Sequence, residues 1–319
     1  MATSARLRRL TEELAEAGLD LDGAAGWRDA LLDELDYALR PPVHEGRVPS
    51  AGAAIEPTNE PAEWERQTAL SISRRPVGEM DLSSARLFAD GLSSWLIRPV
   101  DGPREWAIFD RPAGSERDLV VLADAMGATL VQRHPAGSVR IVGTFGVLRW
   151  DGIRWHHEPP IASWLDAFST AMCPAPGDSE VLEQLLEFAV HDLGSWHIGA
   201  ILVYQADDRI PTGNVEVVLP TPPPLQITKP VDLAPLRHAL AQVDGAAILD
   251  RRGTLRQLGV RLVPSTDADA EVRALGGTRH TSSRRYSFDD KGATVIVVSD
   301  DGPVTVFRAG RILGSSSPA

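Results

Sequence analysis

Cysteine is nearly absent from this chain of 319 residues; Cys173 stands alone. A single thiol excludes internal disulfides and metal sites built from several cysteines. With Pro174 beside it and no base nearby in sequence, Cys173 is not expected to be a catalytic nucleophile. Lysine is almost as scarce: of 32 basic residues only Lys229 and Lys291 are lysines. The arginine excess, alongside many alanines, points to a GC-rich genome more than to an arginine-driven function. No apolar run reaches the ~18 residues of a membrane span. The opening "MATSARLRRLTEELAEAG" is charged and periodic, without the apolar core of a signal peptide, so the expected location is the cytoplasm. No GxxxxGK[ST] segment is present, which removes a P-loop. A formal net charge of −12 argues against a DNA-binding face, because phosphate neutralisation needs a basic surface. It leaves room for a small nucleotide in a local positive pocket.

What is there divides into two regions. Leu7, Leu10, Leu14 and Ala17, then Trp27, Leu31, Leu32, Leu35 and Leu39, recur at helical spacing and predict two helices. Residues 43–62 read as a loop or linker. Short strands and turns follow, and Asp151-Gly152 between Trp150 and Trp155 marks a hairpin. The Pro/Gly break "CPAPGDSE" sets the expected boundary, giving domains 1–172 and 173–319. Beyond it, "SEVLEQLLEFAVHDL" predicts a helix and "HIGAILVYQ" a strand buried on both faces. "DLAPLRHALAQV" is a helix, "GAAILD" and "LRQLGVRLV" are strands, "TDADAEVRAL" is a helix ended by Gly276-Gly277, and "SSRRYSFDD" is helical. "ATVIVVS" and "PVTVFRAG" form a hairpin.

The densest chemistry lies in "GGTRHTSSRRYS", residues 276–287. Two glycines let the backbone come close to a ligand. Amides at the start of the following helix can face an anion. Arg279 adds a forked donor, His280 a ring N–H, and Thr278, Thr281 and Ser282 add hydroxyls. The same residues also suit an ordinary helix C-cap followed by a Thr or Ser N-cap. Arg284-Arg285 reads as a solvated helix face. A second candidate is "VDGAAILD". A carboxylate at Asp244, where a helix meets a buried strand, is costly unless paired or metal-bound, although Asp-Gly is also a common turn.

Taken together, Asp244-Gly245-Ala246 and, about thirty residues later, Gly277-Thr278-Arg279-His280 resemble the DGA and GTRH motifs of the diadenylate cyclase (DAC) domain family. "IGAILVYQ", "RLVPS" and "VIVVSDDG" resemble its flanking segments, in order, over roughly residues 178–312. The chain departs from the family pattern at Thr281-Ser282, where a further arginine is common, and at Asp300-Asp301, where Glu-Glu is usual. The resemblance implies an α/β (α+β) protein: a mixed β-sheet flanked by helices, preceded by an N-terminal α+β domain of sensor type whose ligand is unknown. It implies condensation of two ATP molecules into cyclic di-AMP, with pyrophosphate released, at a site shared by two facing protomers of a homo-oligomer. Asp244 would bind Mg²⁺ or Mn²⁺ and act in catalysis with Arg279 and His280. ATP would be held by Gly245, Ala246, Leu262, Thr278, Arg279, His280, Thr281, Ser282 and Ser299. Asp300 could complete the phosphate and metal environment. A non-catalytic nucleotide sensor of the same fold is the alternative.

The pair His156-His157 lies on a strand whose successive side chains oppose one another, which disfavours a shared metal. Trp150 and Trp155 are expected to pack across their hairpin.

Overall fold

The computed structural model describes residues 4–43, 45–165, 178–206 and 215–316. The chain divides into two compact units, Met1–Pro160 and Ile161–Ala319. The expected boundary at Cys173 lies outside the described residues. Among the described residues no helix is long and apolar enough to cross a membrane.

The first unit is an eight-stranded sheet with helices on both faces. Its strands are β1 (Ala51–Ile55), β2 (Ile72–Pro76), β3 (Ser94–Arg98), β4 (Glu105–Phe109), β5 (Thr129–Arg133), β6 (Val139–Gly143), β7 (Gly146–Trp150) and β8 (Trp155–Glu158). The order is β2-β4-β3-β1-β5-β6-β7-β8, and only β1–β3 among these pairs is parallel. The predicted leucine stripes form helices Ser4–Glu16 and Ala25–Leu39. Leu10, Leu14, Leu31 and Leu35 cover one face, with Ile55, Val131, Ile141 and Leu148 beneath them. Helix Glu116–Met126 starts in a Ser115/Asp118 capping box and covers the other face through Leu119, Leu122 and Met126.

One expectation is overturned here. Within the stretch read as linker, "AGAAI" is β1, entirely buried in mid-sheet. Small residues are required because a Cβ on Gly52 would overlap the Cα of Gly91. The β7–β8 hairpin forms as the spacing predicts. The Asp151 carboxylate accepts from the Ile153 and Arg154 amides at 2.7 and 2.9 Å, and the Trp150 and Trp155 rings lie 5.3 Å apart. His156 meets Asp151 at 2.7 Å and His157 meets the Phe145 carbonyl at 2.8 Å, so neighbouring histidines are spent on different partners.

The second unit is a seven-stranded mixed sheet. Its strands are β9 (Ala200–Gln205), β10 (Val215–Glu216), β11 (Ala246–Leu249), β12 (Leu255–Leu262), β13 (Ala293–Val298), β14 (Val304–Arg308) and β15 (Arg311–Ser315). Their order is β10-β12-β11-β9-β13-β14-β15. The central β9 and β11 are parallel; β13 runs antiparallel to β9. β9 and β13 are buried at every position, as continuous apolar runs between two helical layers should be. Ala200, Leu202, Tyr204, Ile296 and Val298 face helices Asp178–Glu187 and Pro230–Leu240, through Leu182, Leu185, Leu186 and Leu236. Ile201, Val203, Val295 and Val297 face the opposite way, toward Tyr286 of helix Thr278–Asp289. The first of these helices passes into a six-residue π-helical stretch, Phe188–Leu193, with every residue buried. Ile161 and Trp164, 8% and 5% exposed, pack into the same core.

Candidate functional site

The strand pairing gathers separate segments at one end of the second sheet. Ala246 of β11 lies beside Ile201 of β9, and continuing that register places Asp244 level with Gly199. Val298 of β13 lies beside Ala200, which brings Ser299 and Asp300 to the same end from the other side. Val260 of β12 pairs with Ala246, so Leu262, at the end of β12, reaches this end too.

Helix Thr278–Asp289 arrives there with its N-terminus. The predicted helix start at Ser282 moves forward to Thr278, and the preceding helix is shorter than expected, Thr266–Glu271. Gly277 is therefore the N-cap of the second helix, not the C-cap of the first. Its φ of 91° suits glycine, and it contributes no side-chain cap. The first helical hydrogen bond runs from the Thr281 amide to the Gly277 carbonyl at 3.2 Å. The amides of Thr278, Arg279 and His280 precede it, and such amides with the helix dipole favour an anion.

Arg279 crosses the start of β9 and donates to Asp300 at 2.7 Å. Gly199 makes this possible, since a Cβ there would overlap both the guanidinium and the carboxylate. Gly199 was not among the expected site residues; an isolated glycine at the start of a strand is the signal of close approach that could have found it. His280 sits edge-on to Phe307 at 6.1 Å. Burial pushes its pKa below the ordinary histidine value, Asp301 pulls it up, and Arg279 pushes it down. At neutral pH the His280 ring thus carries one N–H donor rather than a positive charge. Its folded form resists protonation, so the stability present above the ordinary histidine pKa declines as pH falls below it.

The hydroxyls are less available. Thr281 bonds to the Leu275 carbonyl at 2.9 Å, the Gly277 carbonyl at 3.1 Å and the Leu275 amide at 3.1 Å, stitching the loop to the helix. Ser282 donates back to the Arg279 carbonyl at 3.1 Å. Thr278 is exposed. Ser299 closes the β13–β14 turn through backbone bonds with Pro303 and Gly302. Arg284 and Arg285 are not a solvated face. Arg284 donates to the Gly310 and Arg273 carbonyls, and Arg285 to the Val272 carbonyl and Asp269.

Asp244 is exposed, so the desolvation cost that singled it out does not arise. Among the described residues it has no hydrogen bond or ion pair, and no group of three or more His, Cys, Asp or Glu is gathered for a metal. One free carboxylate still fits a cation that arrives with phosphate oxygens and water, the usual manner of Mg²⁺. Ala246 and Leu262 are buried, 0% and 7% exposed, within the layer beneath helix Thr278–Asp289.

Gly245 has a φ of 103°, and a Cβ there would stand 2.7 Å from the Gly259 carbonyl carbon. The missing side chain thus lets β11 pass β12 at a bulge. Gly245→Ala is expected to destabilise the protein by about 2–3 kcal/mol through backbone strain and overlap. Urea unfolding checks this; a loss under about 0.5 kcal/mol, the range of an inert surface substitution, would refute it.

Residues 8–158 match the family model described as "Probable sensor domain DACNK". Residues 187–312 match the one described as "DAC: DisA bacterial checkpoint controller nucleotide-binding". No curated protein matches the chain. Among solved structures it is similar to a hypothetical membrane spanning protein from Bacillus cereus, with 20% identity and a TM-score of 0.31. That likeness covers 40% of this chain and 59% of the other, less than two thirds of its length.

Proposed function

We propose that this chain, which joins a DACNK sensor domain to a DAC nucleotide-binding domain, is a diadenylate cyclase. Two ATP molecules would be condensed into cyclic di-AMP. The 3′-hydroxyl of each attacks the α-phosphorus of the other; a P–O ester bond forms, the α–β anhydride bond breaks, pyrophosphate leaves, and the hydroxyl proton is lost. Two protomers face each other, each holding one ATP.

The observation that carries this reading is the convergence of Asp244, the Arg279–Asp300 pair and the N-terminus of helix Thr278–Asp289 at one end of the sheet. Arg279, the first-turn amides and the neutral His280 would hold triphosphate oxygens and stabilise developing charge. Asp244 would hold Mg²⁺ or Mn²⁺ together with the phosphates. That ion would supply charge neutralisation at the phosphorus and lower the pKa of the attacking hydroxyl. Orienting the two nucleotides is the larger part of the work.

One observation favours the alternative of a nucleotide sensor without turnover. Thr281 stands where the family commonly has an arginine, and its hydroxyl is engaged with Leu275 and Gly277. Incubation of the purified protein with ATP and Mg²⁺ or Mn²⁺, read by mass spectrometry, decides. Cyclic di-AMP is the expected product; bound ATP without product establishes the sensor, and neither removes both readings.

A further inference from the structure

Arg279 already holds an anion, and that anion belongs to the protein. Its guanidinium donates to Asp300 at 2.7 Å across the bare backbone of Gly199. The Asp300 side chain is 75% exposed and that of Arg279 36% exposed. A pair this exposed is held weakly, because water screens it and competes for both partners. Asp300 follows the last residues of β13, in the turn Ser299–Gly302, so its side chain can swing away without disturbing the sheet. A phosphate reaching Arg279 must therefore displace the carboxylate or lie beside it, and two anions side by side repel.

Resting on the nucleotide reading above, we infer that Asp300 is an internal competitor for phosphate on Arg279 and sets how tightly the site takes its nucleotide. In the empty site it keeps the guanidinium stretched over Gly199. When a triphosphate arrives, Asp300 gives way, and part of the phosphate's attraction is spent on this exchange. Asp300 is thus a positioning and affinity-setting residue, acting through Arg279.

Calorimetric titration with ATP in the presence of EDTA tests this on the full chain, with adenosine as the uncharged control. Asp300→Asn keeps the shape of the side chain and removes its charge; it is expected to tighten ATP binding about three- to tenfold while leaving adenosine unchanged. Asp300→Glu, which keeps the charge, should behave like the wild type. Arg279→Ala should weaken ATP about ten- to a hundredfold, and in that background the gain from Asp300→Asn should shrink. If the wild type binds ATP and Arg279→Ala loses it, but Asp300→Asn binds no more tightly, the competitor role is overturned and the nucleotide reading stands. If ATP binds to none of these proteins in EDTA, the titrations are repeated with Mg²⁺, where the same comparisons apply; binding to none there either removes both readings.

Discussion

Asp244→Asn is expected to reduce cyclic di-AMP formation to background, a loss of at least about a hundredfold, with the fold intact. The carboxylate is exposed and has no hydrogen-bond or ion-pair partner among the described residues, so no described contact depends on its charge. The neighbouring Gly245 and the buried Ala246 hold the backbone there, and neither changes. An amide keeps the shape of the side chain but loses the charge that a hard divalent cation requires. Product is measured by mass spectrometry, and folding by circular dichroism and the melting temperature. Wild-type turnover by a folded Asp244→Asn protein would remove this residue from the chemistry. Loss of folding would assign the carboxylate a structural task instead.

A fragment spanning residues 161–319 is expected to fold and bind ATP, whereas one spanning 175–319 is expected to be unfolded or barely stable at 37 °C. Among the described residues that the shorter fragment lacks, Ile161 and Trp164 are buried in the second core and Leu165 is packed against it. Losing a buried tryptophan costs about 3–5 kcal/mol and losing a buried isoleucine about 2 kcal/mol or more. A domain has about 5–15 kcal/mol to lose. Thermal melts followed by circular dichroism, with ATP titration of each fragment, measure both outcomes. Equal melting temperatures would show that Ile161 and Trp164 contribute little to this core.

Much of the fold was legible wherever a side-chain pattern carries the structure. The leucine stripes predicted both N-terminal helices, the apolar runs of β9 and β13 predicted buried strands, and Asp151-Gly152 predicted a hairpin. β1 was not legible. "AGAAI" has low strand propensity, and its place in mid-sheet comes from the close approach of Gly52 to Gly91, which lies 39 residues away. The loop at Gly276-Gly277 was legible as a special place but not in its role. Glycine pairs end helices and begin them, and only the bond from Thr281 to Gly277 tells which occurs here. Arg284 and Arg285 looked like solvent-facing charges because adjacent arginines carry no sign of the carbonyls they reach across the fold. Arg279 and Asp300 were each singled out, but not their pairing. That depends on Gly199, which offers no side chain to notice.

The π-helical stretch Phe188–Leu193 leaves the chain some slack in its count. A π turn takes one more residue to come round than an α turn does. Deleting a single residue within 188–193 would let the stretch revert to α geometry, with the chain on either side keeping its angular phase. The same deletion at Glu187, which follows Leu182, Leu185 and Leu186 in the regular helix, would rotate those leucines by about 100° relative to the chain that follows. Length variants of this domain should therefore accumulate in this buried stretch rather than in the regular turns before it, an inversion of the usual rule that insertions and deletions belong to surface loops.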